Sequence, residues 1–147
     1  MRDARAVVDE IANMWRSGSN EHFADLFAED GVQRFPFPMP GMPSELRGRE
    51  EIRAFYARSR AEGRRGMIDI EGMDTVVRST EDPEVVIAEI EHHGHSRGLD
   101  GPYRYRTIAV LRVRDGEIVT YDDYMNPVAL AQVLGRTPEL VAALTGA

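Results

Sequence analysis

The stretch Glu117-Ile118-Val119-Thr120-Tyr121-Asp122-Asp123-Tyr124-Met125-Asn126-Pro127 decides how this chain is read. It follows a strand and a turn spanning Arg104 to Gly116, and so reads as the return arm of a β-hairpin. Apolar and aromatic residues at 118, 119, 121, 124 and 125 make the arm a packed strand, which leaves two adjacent acids to explain. Side chains alternate between the faces of a strand, so Asp122 and Asp123 point opposite ways. One meets water or a partner and the other faces the interior. A carboxylate aimed into an apolar cavity has its pKa raised, which suits it to general acid/base work; an aspartate tied to backbone or arginine is the competing structural reading. Register decides which acid faces inward. A two-residue Asp115-Gly116 turn places Asp122 inside. A three-residue Arg114-Asp115-Gly116 loop with a glycine bulge places Asp123 inside, beside Thr107.

Upstream, the chain is first helical and then β. Val7, Val8, Ile11, Met14 and Trp15 recur at helical spacing and predict a helix over about 3–16, broken by Ser17-Gly18-Ser19-Asn20. A short second helix carrying Phe23, Leu26 and Phe27 is expected to run to Glu29, followed by a strand over Val32 to Phe35. Pro36, Pro38, Pro40 and Pro43 with Gly41 stiffen the next segment, whose Phe37, Met39 and Met42 are expected to cover a hydrophobic opening. Ile52, Phe55 and Tyr56 mark a third helix over about 49–61. Strands are predicted over Met67 to Arg78 with a bulge at Gly72, over Glu84 to His93, and over Tyr103 to Arg114. Asn126-Pro127 and Thr137-Pro138 each read as an N-cap followed by proline at the first helical position, opening two terminal helices. Helices followed by antiparallel strands form the α+β pattern. The expected fold is a cone-shaped α+β barrel, a bent antiparallel sheet with three helices on its concave face. It is read as a single domain over 1–147, with its core at about 4–135 and a last short helix at 137–145.

Composition narrows the function. The 147 residues are 42% hydrophobic and 29% charged, ordinary values for a globular protein. A net charge of -7 argues against nucleic-acid or anionic-membrane partners, which bind basic patches. Without cysteine the chain has no disulfide, thiolate nucleophile or Cys-ligated metal. The charged N-terminus lacks a signal-peptide pattern, and no apolar run approaches the roughly 20 residues of a membrane span, so a cytoplasmic location is expected.

Alternation assigns the faces. Val86, Ala88, Ile90 and His92 share one side of their strand, and Glu89, Glu91 and His93 the other. Tyr103, Tyr105, Thr107, Ala109, Leu111 and Val113 lie opposite Arg104, Arg106 and Arg112. Pairing the strands puts acids beside arginines outside and apolar residues together inside, with His92 the polar exception on the inner wall. His92-His93-Gly94-His95 places His93 and His95 on one face, but with no third ligand evident and Gly94 weakening the strand the expectation is no metal. Arg64 and Arg65 are expected on a solvated surface.

Four motifs together resemble the SnoaL-like enzymes of the nuclear transport factor 2-like superfamily. They are Leu26-Phe27-Ala28-Glu29-Asp30-Gly31, Leu46-Arg47-Gly48-Arg49-Glu50-Glu51-Ile52-Arg53-Ala54-Phe55-Tyr56, Arg112-Val113-Arg114-Asp115-Gly116-Glu117-Ile118, and Tyr121 to Pro127. The pattern is nearest to phenazine-biosynthesis A/B proteins and SnoaL-type polyketide cyclases. By this resemblance the three steroid-isomerase positions hold Ile11, Phe35 and Ala109, so that activity is not expected. The phenazine positions hold Met39, Phe55 and Asp123, and the limonene-epoxide-hydrolase positions hold Ile90, His92 and Asp123. The last-strand aspartate of the SnoaL-type cyclases falls on Asp123, which favours the register with Asp123 inside.

The resulting expectation is an apolar pocket lined by Trp15, Phe35, Met39, Phe55, Ile90 and Tyr121, with Asp123 as the proton carrier and His92 or Tyr105 assisting at an oxygen. The chemistry is cofactor-independent cyclisation, isomerisation or dehydration of a small cyclic or aromatic, polyketide-like metabolite. Epoxide opening and non-catalytic binding of a small molecule are the alternatives. A homodimer is expected through the outer sheet face, where Ile108, Val110, Ile118 and Tyr124 would be exposed.

Overall fold

The computed structural model describes residues 1–62 and 64–146; the side chains of Arg64 and Arg65 lie outside the described residues. Helix α1 (Ala4–Ser17) starts where the Asp3 side chain accepts a hydrogen bond from the Ala6 amide at 2.8 Å, and it ends at Gly18 with φ 77°. Both ends follow capping physics. Its apolar stripe of Val7, Val8, Ile11 and Ala12 is buried against the sheet.

The expected second helix is shorter than the sequence suggests. A 3-10 segment (Asn20–Leu26) closes before Phe27, which opens strand β1 (Phe27–Arg34). Tertiary pairing overrides local preference here: Phe27 pairs with Ile118 of the last strand, and its fully buried ring packs on Phe23 with centroids 5.2 Å apart. After the proline-rich loop a short strand β2 (Glu45–Arg47), invisible to periodicity at that length, returns along β1. Helix α2 (Arg49–Ala61) lies where its apolar spacing placed it.

Strands β3 (Ile68–Ser79), β4 (Val85–Ser96), β5 (Gly101–Arg114) and β6 (Glu117–Tyr124) complete a six-stranded sheet in the order β2-β1-β6-β5-β4-β3. Every pairing is antiparallel except β1 with β6, which is parallel, so the predicted antiparallel sheet is a mixed one. The predicted bulge near Gly72 appears as a register shift between Ile70 and Gly72. Gly94 does not interrupt β4, contrary to expectation. A Cβ there would lie 1.9 Å from the Asp69 carbonyl oxygen, so glycine is what lets the two backbones approach. Helix α3 (Pro127–Val133) is capped by the Asn126 side chain, which accepts from the Ala129 amide at 3.0 Å. Helix α4 (Thr137–Thr145) is preceded by Arg136, so Thr137 lies inside the helix and is not its cap. Helix α1 packs on β3, β4 and β5, α2 on β1 and β2, and α3 on β5, leaving the α+β cone open on one side. Among the described residues, no helix is long and apolar enough to cross a membrane.

Candidate active site

The hairpin combines the two registers weighed from sequence. The turn is the two-residue type, with Asp115 at φ 52° and Gly116 at φ 78°, and Arg114 pairs with Glu117. A bulge then follows within the strand: Val113 pairs with Ile118 but Arg112 with Thr120, so Val119 is the extra residue. Ile118, Tyr121 and Asp123 therefore all face inward, although their spacing is not strictly alternating. Asp123 sits opposite Ala109, and Thr107 reaches it diagonally. Ile118 is fully buried, which corrects its placement on the outer face. Asp122 turns outward into a fork with Arg34, Nε to Oδ1 at 2.5 Å and Nη2 to Oδ2 at 3.1 Å.

The inner face opens on a cavity of about 1150 Å³. Trp15, Phe35, Met39, Phe55, Ile90, His92, Tyr105, Tyr121 and Asp123 all lie on its wall. Thr107 Oγ1 donates to Asp123 Oδ1 at 2.8 Å, leaving Oδ2 with no protein donor among the described residues. What remains exposed of Asp123 faces the cavity. Burial accordingly raises its pKa from 3.8 to about 6, opposed only by the Thr107 hydrogen bond. His92 is half-buried, and burial, aided by the neighbouring His93, lowers its pKa to about 4. It is therefore neutral near pH 7. His92 Nδ1 and the Tyr103 hydroxyl are hydrogen-bonded at 2.7 Å; with Tyr103 donating, Nε2 carries the ring hydrogen. Tyr105 accepts from the Asn126 amide at 3.3 Å, and burial followed by the Asp123 charge pushes its pKa to about 12. Its hydroxyl thus keeps a proton to donate. The wall sets a carboxylate raised toward neutrality beside the neutral donors His92 and Tyr105.

A family model for the SnoaL-like domain matches residues 8–121. The chain belongs to the SnoaL-like family. The match stops just short of Asp123. This SnoaL-like chain is 29% identical over 145 residues to an uncharacterised PhzA/B-like protein of Pseudomonas aeruginosa, covering 99% of both chains. A crystal structure of a Bacillus subtilis protein with a provisional isomerase name superposes with a TM-score of 0.78 at 26% identity, over 91% of this chain and 94% of that one. A Xanthomonas campestris structure with a provisional polyketide-cyclase name gives 0.62 at 24% identity, over 88% of this chain and 96% of that one, and shows likeness of fold alone.

Some wall residues escaped the sequence reading. Gln33 is buried, and its amide and the Tyr56 hydroxyl exchange hydrogen bonds at 2.8 and 3.1 Å. Gln33 shares the inner face with Phe35, but so short a strand did not fix that face, and Tyr56 lies 23 residues away along the chain. Tyr103 was assigned to the inner face, but its bond to His92 needed the β4–β5 register, which pairs His92 with Tyr105. On the outer face, His93 meets Asp74 and Glu91 with ligand atoms within 4.8 Å of one another, a grouping that depends on β3 and that sequence spacing could not show. Glu91 there already accepts hydrogen bonds from Arg104 and Arg106, whose charges oppose a cation.

Proposed function

We propose that this SnoaL-like protein is a cofactor-independent acid/base enzyme of the cyclase, isomerase or dehydratase type, acting on a small cyclic or aromatic, polyketide-like metabolite held in the cavity. The observation that carries this reading is the Asp123 carboxylate, raised to about pH 6 on an otherwise largely apolar wall. A group titrating near the working pH serves as base in one step and acid in the next. Asp123 Oδ2 removes a proton from the carbon beside a carbonyl group. The electron pair passes to the carbonyl oxygen, where the Tyr105 hydroxyl or the His92 ring N–H stabilises the enolate. The enolate then either takes the proton back at another carbon of its conjugated system or attacks an internal carbonyl carbon through its α-carbon. In the second case the new alkoxide receives the proton from Asp123. Either route returns the enzyme to its starting protonation state. All 18 of the lysine-or-arginine positions are arginine, so no lysine side chain is present to form a Schiff base with the ketone.

Exchange of the C1 hydrogens of 2-tetralone in deuterated water, followed by NMR, tests proton abstraction without knowledge of the natural substrate. Asp123→Asn preserves shape but cannot carry the proton, and exchange is expected to fall by roughly 100-fold or more. Asp122→Asn, on the outer face, is expected to keep the parent rate. Exchange at the parent rate in the Asp123 variant would remove this residue from the chemistry and leave a binding protein as the better reading.

A further inference from the structure

The cavity wall contains a cation that the acid/base chemistry does not use. Arg60, near the end of α2, is half-buried on this wall, and its Nη1 is buried with no hydrogen-bond partner among the described residues. Arg58 and Arg136 also line the cavity with no side-chain hydrogen bond or ion pair among the described residues, but neither holds a buried orphan nitrogen. Arg16, on the same wall, donates to the Asn13 side chain and the Met73 carbonyl, and Arg34 forks onto Asp122. Among the described residues no ion pair joins Arg60 to a carboxylate: Asp69 approaches Arg97 at 4.0 Å, and Asp123 accepts from Thr107. A guanidinium with a buried nitrogen lacking an acceptor is costly, and an anion in the cavity beside it offsets part of that cost.

Resting on the reading of this cavity as a small-molecule site, we propose that Arg60 anchors a carboxylate on the ligand, making the substrate a cyclic or aromatic carboxylic acid. The planar guanidinium matches the two oxygens of a carboxylate. The largely apolar wall favours a monoanion over a doubly charged, more strongly hydrated phosphate. The apolar wall then holds the ring, and the far end of the ligand presents its reacting carbon to Asp123. Binding energy spent on a remote carboxylate also positions the reacting carbon.

The test uses 4-tert-butylcyclohexanecarboxylate and its carboxamide, a charged and a neutral probe of nearly equal shape. Neither absorbs where tryptophan emits, so the single tryptophan, Trp15 on the cavity wall, reports occupancy by fluorescence. At pH 8 the carboxylate is expected to bind roughly 10-fold tighter than the carboxamide. Arg60→Gln should bring the two affinities to within about twofold while leaving carboxamide binding intact, and Arg60→Lys should keep part of the preference. Equal affinities in the parent protein, no Trp15 response to either probe, or an undiminished preference in Arg60→Gln overturns the proposal. The same titration in Asp123→Asn separates the two readings, because the carboxylate preference should persist or grow there whatever moves the proton. Lost tetralone exchange in Asp123→Asn with an intact preference in Arg60→Gln sinks the anchor alone. The opposite pair of results sinks the acid/base reading alone.

Discussion

Asp123 and His92 share the cavity wall and titrate in opposite senses. Burial raises the aspartate from 3.8 to about 6, so the folded chain holds a proton that the unfolded chain has released, and stability falls as pH rises through that window. Burial lowers the histidine from 6.5 to about 4, so the folded chain lacks a proton that the unfolded chain holds, and stability is lost as pH falls through the same range. Each contribution is on the order of 3 kcal/mol, and in the parent protein they nearly cancel between pH 4 and 6. Asp123→Asn should unmask the histidine. Thermal unfolding of this variant is expected to show a midpoint above the parent's at pH 7.5, with the advantage shrinking toward pH 4. A variant less stable than the parent at pH 7.5 would mean that the carboxylate is a structural anchor. The 2-tetralone exchange should itself rise with pH through about 6, as Asp123 ionises into its basic form.

At the scale of elements, two local irregularities aim the site. The Val119 bulge lets a two-residue turn coexist with an inward Asp123. The register shift before Gly72 and the close approach at Gly94 lie where the β3–β4 pair reaches the Asp69 side of the cavity. Gly94→Ala would drive a methyl group into the Asp69 carbonyl, and overpacking of this kind typically costs about 1–3 kcal/mol. Thermal or urea unfolding should show that loss, whereas Gly101→Ala, whose Cβ would meet only the Leu99 carbonyl at 4.0 Å, should stay near the parent. Equal stability of the two variants would mean that the β3–β4 contact can slide open at no cost. The helices were legible because their apolar stripes and caps are local properties, with Asp3, Gly18 and Asn126 each doing what its residue type favours. Strand β2 and the start of β1 were not, because three residues carry no period and Phe27 joins the sheet only through β6.

For the whole molecule, the outer face of the sheet keeps an apolar patch after Ile118 is removed from it. Ile108 is 44% and Tyr124 36% exposed, and Phe37, 59% exposed, stacks on Tyr124 with centroids 5.7 Å apart. Ion pairs such as Arg34–Asp122 and Arg106–Glu91 border these rings. An apolar centre with a charged rim is the arrangement of a protein interface. The chain is expected to dimerise through this face, and Ile108→Glu, which places a charge at its centre, should shift sedimentation toward the 16.5 kDa monomer. A parent protein that sediments as a monomer at micromolar concentration would contradict this.

The sequence by itself determined the fold class and the inner and outer faces of β4 and β5, and narrowed the candidate acid to Asp122 or Asp123, because alternation, helical spacing and turn chemistry are short-range physics. The family resemblance, not the turn, pointed to Asp123: the turn is the two-residue type that on its own would have brought Asp122 inside. Only the tertiary structure decided that Val119 is skipped, that Ile118 is core, that Tyr103 holds His92, and that Arg60 lines the cavity with its Nη1 unpartnered among the described residues. Each of these depends on which residues from distant parts of the chain become neighbours. Burial, which moves Asp123 to about 6 and His92 to about 4, is likewise a property of the packed molecule and is written in no local stretch of the chain.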